Sequence, residues 1–188
     1  MASELGHVRD LFANFQRPWF IAGGWAIDLW LGRKTREHAD IDIAVLRADQ
    51  VPLRGFLRGW SFQFIKDRQR VDWIESNRVD LPFHEIHAFN PNSGQTLEVL
   101  LNESTERQWV YRRNFSVTCP LETMGRTTEH GIPFLNPAIV LLYKSKSPTE
   151  KDYHDFDAAV DLLDGPDREW LKNALKICHP QHAWLDRL

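Results

Sequence analysis

Leu5, Val8, Leu11, Phe12 and Phe15 recur at three- and four-residue intervals, the spacing of one buried helix face, and predict a helix over 3–15. The apolar run Trp19-Phe20-Ile21-Ala22 ends at Gly23-Gly24 and predicts a strand entering a tight turn. Helical spacing resumes from Trp25 to Leu31 and stops at Gly32, a residue suited to a left-handed C-terminal cap. Residues 39–46, ADIDIAVL, alternate polar and apolar before becoming wholly apolar, which predicts a strand. A helix over 49–58 and a strand over 60–65 follow. The strand-like runs 84–90 and 95–102 flank Asn90-Pro91-Asn92-Ser93-Gly94, a turn-rich linker that predicts a hairpin, and 108–118 adds a further strand. From about Asn136 only helices are predicted, over 136–146, 150–164 and 167–178, punctuated by Pro148, Gly165-Pro166 and Pro180. Mixed elements followed by helices give an α+β fold with a C-terminal helical region, divided near residue 118.

Composition narrows the setting. The chain has 188 residues, 43% hydrophobic and 26% charged, enough for one substantial core and too apolar for a disordered chain. No apolar run approaches the ~18–20 residues that span a bilayer, so no membrane partner is expected, and MASELGHVRDLF lacks the basic-then-apolar order of a signal peptide. Two cysteines, Cys119 and Cys178, make no disulfide framework and have no metal-ligand spacing, so a cytoplasmic protein with inert thiols is expected. The net charge of -3 argues against a nucleic-acid coat. That charge is uneven: residues 150–169 hold eight acidic and two basic groups, a face that would attract a polycation or simply solvate a helix pair.

The candidate chemistry lies in residues 23–45. On a strand, Asp40 and Asp42 share a face about 6–7 Å apart, and two carboxylates so placed repel unless a cation lies between them. Mg²⁺ favours a few carboxylates plus substrate phosphates; a solvated strand face is the alternative. Gly23-Gly24, ahead of a helix, offers backbone N–H groups and the positive end of a dipole to an anion, or merely makes a tight turn. A phosphate cradle followed by a strand-borne carboxylate pair suits a nucleoside triphosphate and its Mg²⁺. The second D-x-D, Asp155-Phe156-Asp157, falls on a predicted helix where the side chains diverge. Glu98, in Thr96-Leu97-Glu98-Val99-Leu100, is an acid amid apolar strand residues, costly unless paired or metal-bound; an edge-strand charge facing water is the other reading. His84 and His87 lie on opposite strand faces, against a zinc pair.

The string GGWAIDLWLGRKTREHADIDIAV resembles the DNA polymerase β-like nucleotidyltransferase superfamily, in its aminoglycoside-2″-adenylyltransferase-like branch. The resemblance implies a nucleotidyltransferase fold: a mixed sheet backed by helices over 1–118, with the mainly helical region 119–188 packed on it. It implies Mg²⁺-dependent transfer of a nucleoside monophosphate, AMP from ATP or another nucleoside triphosphate, to a hydroxyl of a small-molecule acceptor such as an aminoglycoside-like compound. Gly23 and Gly24 match the phosphate-binding pair, and Asp40 and Asp42 match the ligands of two Mg²⁺ ions. Glu98, with Glu85 second, stands for the third carboxylate that serves as metal ligand and general base. Arg36, with Arg33 and Lys34 ahead of the metal strand, either contacts phosphates or belongs to a solvated basic turn, and His38, at a matching family position, orders the loop. Lys144, Lys146, Lys151-Asp152 and Asp155 resemble a K…KD-x-x-D stretch of abortive-infection nucleotidyltransferase toxins, which implies a phosphate contact for Lys144 or Lys151 and an acceptor contact for Asp155; Lys151–Asp155 would otherwise be a plain i,i+4 pair. The alternatives are a toxin-like enzyme acting on tRNA or protein, and an inactive nucleotide-binding protein. Nucleic acid is the less favoured partner, because the basic clusters Arg33-Lys34-Arg36, Lys66-Arg68-Arg70 and Arg112-Arg113 are short.

Overall fold

The amphipathic first segment forms helix α1 (Ala2–Phe12), with Leu5, Val8 and Phe12 buried. A computed structural model describes residues 2–67, 69–74 and 78–188; Arg68 of the second basic cluster lies outside them. The chain continues through β1 (Trp19–Ile21), α2 (Gly23–Leu31), β2 (Asp42–Leu46), α3 (Gln50–Phe56), β3 (Ser61–Lys66), β4 (Gln69–Asp72), β5 (Glu85–Phe89) and β6 (Thr96–Ser104). Then come β7 (Gln108–Val110), β8 (Thr118–Pro120), β9 (Gly125–Thr127), β10 (Pro133–Leu135), α4 (Pro137–Lys144), α5 (Glu150–Ala159) and α6 (Gly165–Cys178). Among the described residues, no helix is long and apolar enough to cross a membrane.

The strands form one mixed sheet in the order β4-β3-β5-β6-β2-β1-β10-β9, with β7 and β8 extending from β6. β2 runs parallel to β6 and β1 parallel to β10; β1 and β2 are antiparallel, as are β5 and β6. This is the expected α+β nucleotidyltransferase fold, a mixed sheet with helices packed on it and a helical C-terminal region. Strand alternation separates two faces. Ile43, Val45, Ile86, Val99 and Leu101 are buried. In register on the other face lies a polar row, Asp42, Glu98, His87, Gln63 and Asp72, one residue from each of five adjacent strands.

The helix boundaries follow their caps. Gly32 closes α2 in the left-handed region, with φ 66°. Asn136 caps α4, Thr149 and Asp152 form a reciprocal capping box at α5, and Asp164 caps α6, each satisfying N–H groups that the helix leaves free. α2, α4 and α5 pack against one another, and α6 packs on α4.

Three expectations are corrected. The strand predicted over 39–46 begins at Asp42: the chain bends at Ala39 and Asp40, and the ladders with β1 and β6 end at Ile43 and Asp42; Asp40 lies in that bend and is exposed. The strand predicted over 108–118 is two strands, β7 and β8, joined where Tyr111 N–H donates to the Val117 carbonyl at 2.9 Å. β9 and β10, in the stretch before Asn136 that the pattern left unassigned, extend the sheet beyond β1.

Candidate active site

Two backbone bonds join the glycine turn to the strands: Ala22 N–H donates to the Asp42 carbonyl at 2.8 Å, and Glu98 N–H to the Ile41 carbonyl at 3.1 Å. α2 starts at Gly23 with no side-chain cap, so its first N–H groups have no helical acceptor and are available to an anion. Gly23 has φ +59°, and a Cβ there would come within 1.9 Å of Asp42 Oδ2. A Cβ on Gly24 would meet Arg36 Nη2 at 2.2 Å and His38 Cε1 at 2.6 Å. Both glycines are therefore required by close approach: one by the Asp42 carboxylate, the other by the loop that precedes it.

Asp42 stands opposite Glu98 in the β2–β6 ladder, and Glu98 opposite His87 in the β5–β6 ladder. His87 Nδ1 is 3.7 Å from Glu98 Oε1, and its Nε2 is 3.1 Å from Glu85 Oε1. That Nε2 is buried yet lacks hydrogen-bond alignment with any partner. One donor atom from each of Glu85, His87 and Glu98 lies within 4.8 Å of the others, a donor set that fits a divalent cation. Asp42 is pushed up to about 7, first by burial and then by Glu98, with Lys144 opposing. Glu98 is raised too, first by burial and then by Glu85 and Asp40. Carboxylates crowded in this way bind a proton or a cation readily. The structure thus brings Asp42, Glu98 and Glu85 together, while Asp40 sits exposed at the margin.

Over these carboxylates opens a cavity of about 550 Å³, bounded by Gly23, α4, the residues after α4, and Arg112 and Arg113 between β7 and β8. Lys144 lines it, with Nζ 2.6 Å from Asp152 Oδ1 and 3.0 Å from Asp155 Oδ2. Arg36 is not in the lining. Its guanidinium makes a bidentate pair with the fully buried Asp155, at 2.9 Å for both bonds, which raises its pKa. Lys151 is exposed and outside the lining. His84 lines the cavity and is pulled down to about 4 by burial and by Arg112, so it is neutral at pH 7.

The acidic stretch 150–169 is no open anionic wall. Asp152 and Asp155 hold Lys144 and Arg36, Asp157 and Asp161 hold Arg187, and Asp164 and Asp167 hold Arg126. Distant parts of the chain supply these cations, which is why local charge overstated the face. The cysteines agree with inert thiols: burial pushes Cys119 up to about 11 and raises Cys178.

Asp28 is the positioning residue that sequence reasoning passed over. It is fully buried in α2 and accepts from Thr35 N–H at 3.0 Å and Thr35 Oγ1 at 2.5 Å. His38 Nε2 lies 2.6 Å from its other oxygen, and the His38 ring packs on Trp25 with centroids 4.4 Å apart. These bonds fix the loop that carries Arg36 and leads to Asp40. The available signal was one acid inside an otherwise apolar helix, Gly23–Leu31.

The model of a family described as aminoglycoside-2″-adenylyltransferase matches residues 4–158. The lincosamide resistance protein of Staphylococcus haemolyticus is 42% identical over 40 residues, which are 21% of this chain and 25% of that protein; the match thus spans a quarter of that relative's length. The solution structure of the antibiotic-resistance factor ANT(2″)-Ia aligns with a TM-score of 0.61 at 18% identity, covering 95% of this chain and 92% of that one. ANT(2″)-Ia in complex with adenylyl-2″-tobramycin aligns at 0.60 and 18%, covering 94% and 97%. The lincomycin-bound lincosamide antibiotic adenylyltransferase LnuA aligns at 0.56 and 18%, covering 84% and 95%. At these identities the structures establish a shared fold.

Proposed function

The chain belongs to the aminoglycoside-2″-adenylyltransferase family, and from that membership we propose that it is a nucleotidyltransferase moving a nucleoside monophosphate, AMP from ATP, onto a hydroxyl of a small-molecule acceptor of the aminoglycoside or lincosamide type. The observation that carries this reading is the convergence of Asp42, Glu98 and the uncapped start of α2 at one cavity. A resemblance of fold alone would leave the chemistry open.

In this reading the N–H groups of Gly23 and Gly24 bind phosphate oxygens of the triphosphate. Asp42, Glu98 and Asp40 would hold Mg²⁺, which when bound polarises the phosphoryl group and eases ionisation of the acceptor hydroxyl. Glu98 accepts the proton from that hydroxyl, the acceptor oxygen bonds to the α-phosphorus, and the bond to the pyrophosphate oxygen breaks. His87 lies between Glu85 and Glu98, 3.1 and 3.7 Å from their carboxylates. Asp28, Thr35 and His38 keep the loop closed against α2, so that Asp40 stays beside Asp42.

The test is pyrophosphate release from each nucleoside triphosphate in the presence of Mg²⁺ and a panel of aminoglycosides, lincosamides and simple polyols. Release that depends on both an acceptor and Asp42 supports the reading. Tight ATP binding with no release for any acceptor would leave a binding protein instead.

A further inference from the structure

The basic residues of the cavity wall differ in what they already hold. Lys144 is taken up by Asp152 and Asp155. Arg113 donates to the Tyr143 carbonyl at 2.8 Å and to the Tyr111 hydroxyl at 3.3 Å. Arg112 is half-buried in the lining, and among the described residues it has neither a hydrogen bond nor an ion pair. Its one contact of note is the face of the Tyr143 ring, 5.3 Å from the guanidinium carbon. Lys146, exposed at the rim of the same cavity, also lacks an anionic partner among the described residues.

A half-buried guanidinium with no anion is costly. Burial is the main cause that lowers the Arg112 pKa from its ordinary value, and the like charges of Arg113 and Arg47 add to it. The cost is withdrawn when an anion enters. The lining of one cavity therefore holds both the carboxylates Asp42, Glu85 and Glu98 and the anion-free cations Arg112 and Lys146. A nucleoside triphosphate suits such a lining: cations held by the carboxylates would face the reacting phosphate, and the basic side chains would take the phosphates beyond it. The planar guanidinium offers two parallel donors to a phosphate, and the Tyr143 ring holds the plane in place.

Building on the nucleotidyltransferase reading, we propose that Arg112, assisted by Lys146, grips the terminal phosphates of the triphosphate and the pyrophosphate that leaves. Neither Arg36, which is committed to Asp155, nor the exposed Lys151 takes this part.

Calorimetry in Mg²⁺ would compare α,β-methylene-ATP, inorganic pyrophosphate and AMP on wild type, R112A, R112Q, R112K and K146A. R112Q retains a stem against Tyr143, and thermal unfolding verifies that each variant is folded. Arg112→Ala and Arg112→Gln are expected to weaken the analogue and pyrophosphate by about tenfold or more, the scale of a lost charge-assisted pair of bonds. AMP should change less than about twofold, Arg112→Lys should recover part of the loss, and Lys146→Ala should cost about two- to fivefold. Unchanged analogue binding in folded R112A and R112Q overturns the assignment of Arg112 alone. Equal losses for AMP and the analogue also overturn it, since the residue would then serve the nucleoside or the fold. Wild type that binds neither analogue nor pyrophosphate overturns the nucleotidyltransferase reading and this assignment with it.

Discussion

Asp42 on β2 and Glu98 on β6 face each other directly across a parallel ladder, and after burial the Glu98 carboxylate is what most raises the Asp42 pKa. Asp42 rises from 3.8 to about 7, with burial the largest cause. Between these values the folded chain keeps a proton that the unfolded chain has lost. Stability of the metal-free protein should therefore fall as pH rises from about 4 to 7, then level off. A divalent cation held by Asp42, as proposed, would replace that proton, so its binding should strengthen over the same window. Melting curves with and without millimolar Mg²⁺ should show a larger stabilisation at pH 8 than at pH 6. An equal shift at both pH values would mean that Asp42 is no ligand.

The third carboxylate is open to a direct contest. Glu98 is the cross-strand partner of Asp42, whereas Glu85 lies beside it through His87. Glu98→Gln is expected to cut turnover by about 10²-fold or more, the contribution of a general base, with α,β-methylene-ATP affinity kept within a few-fold. Glu85→Gln should cost less. Single-turnover rates settle which one acts, and the reverse order would make Glu85 the base.

Gly23 is constrained twice, by φ +59° and by an Asp42 oxygen 1.9 Å from where a Cβ would stand. The contact is with the carboxylate that the site is built around, so relief requires moving either Asp42 or the start of α2. Gly23→Ala should destabilise by about 1–3 kcal/mol and abolish nucleotide binding even where the chain remains folded. Urea denaturation and calorimetry check the two effects separately. Gly32→Ala is the control. It carries the same backbone strain at φ 66°, but a Cβ there meets nothing within 4 Å, so it should lose stability and keep binding.

Much of the frame was legible because hydrophobic period and punctuation act locally. Gly32, Asn136 and Asp164 end or start helices through bonds within a few residues, and the turn before Gln95 sets β5 against β6. What stayed hidden depends on partners distant in sequence. β10 is three residues long and lies between β9 and β1, where Ile21 precedes its partner Phe134 by 113 positions. The glycine pair and Asp42 were readable as a spaced motif, and the structure sets Gly23 against Asp42 and Gly24 against Arg36 and His38. The grouping of His87 with Glu85 and Glu98 was not, since cross-strand register between β5 and β6 decides it. The acids of 150–169 read as a bare negative face because Arg36, Lys144, Arg126 and Arg187 come from elsewhere in the chain.

Arg36, expected from the sequence to contact phosphates, is already engaged by a carboxylate. Two of its bonds end on Asp155, which is fully buried and shared with Lys144, so the pair locks the loop ahead of Asp42 onto α5. Arg36→Ala leaves Asp155 with Lys144 alone and should cost roughly 3 kcal/mol, the lower end of what breaking a buried pair costs. Any loss of nucleotide affinity should track the loss of folded protein. Asp155→Asn should resemble it, and a double-mutant cycle between the two should show strong coupling. Lys151→Ala, exposed and outside the cavity lining, should change stability by less than about 0.5 kcal/mol and leave nucleotide affinity unaltered. Urea denaturation supplies the first set of numbers, and calorimetry on the folded variants the second. If Arg36→Ala were as stable as wild type yet bound α,β-methylene-ATP tenfold more weakly, the guanidinium would have to leave Asp155 for a phosphate, and the loop would be a moving part rather than a fixed wall.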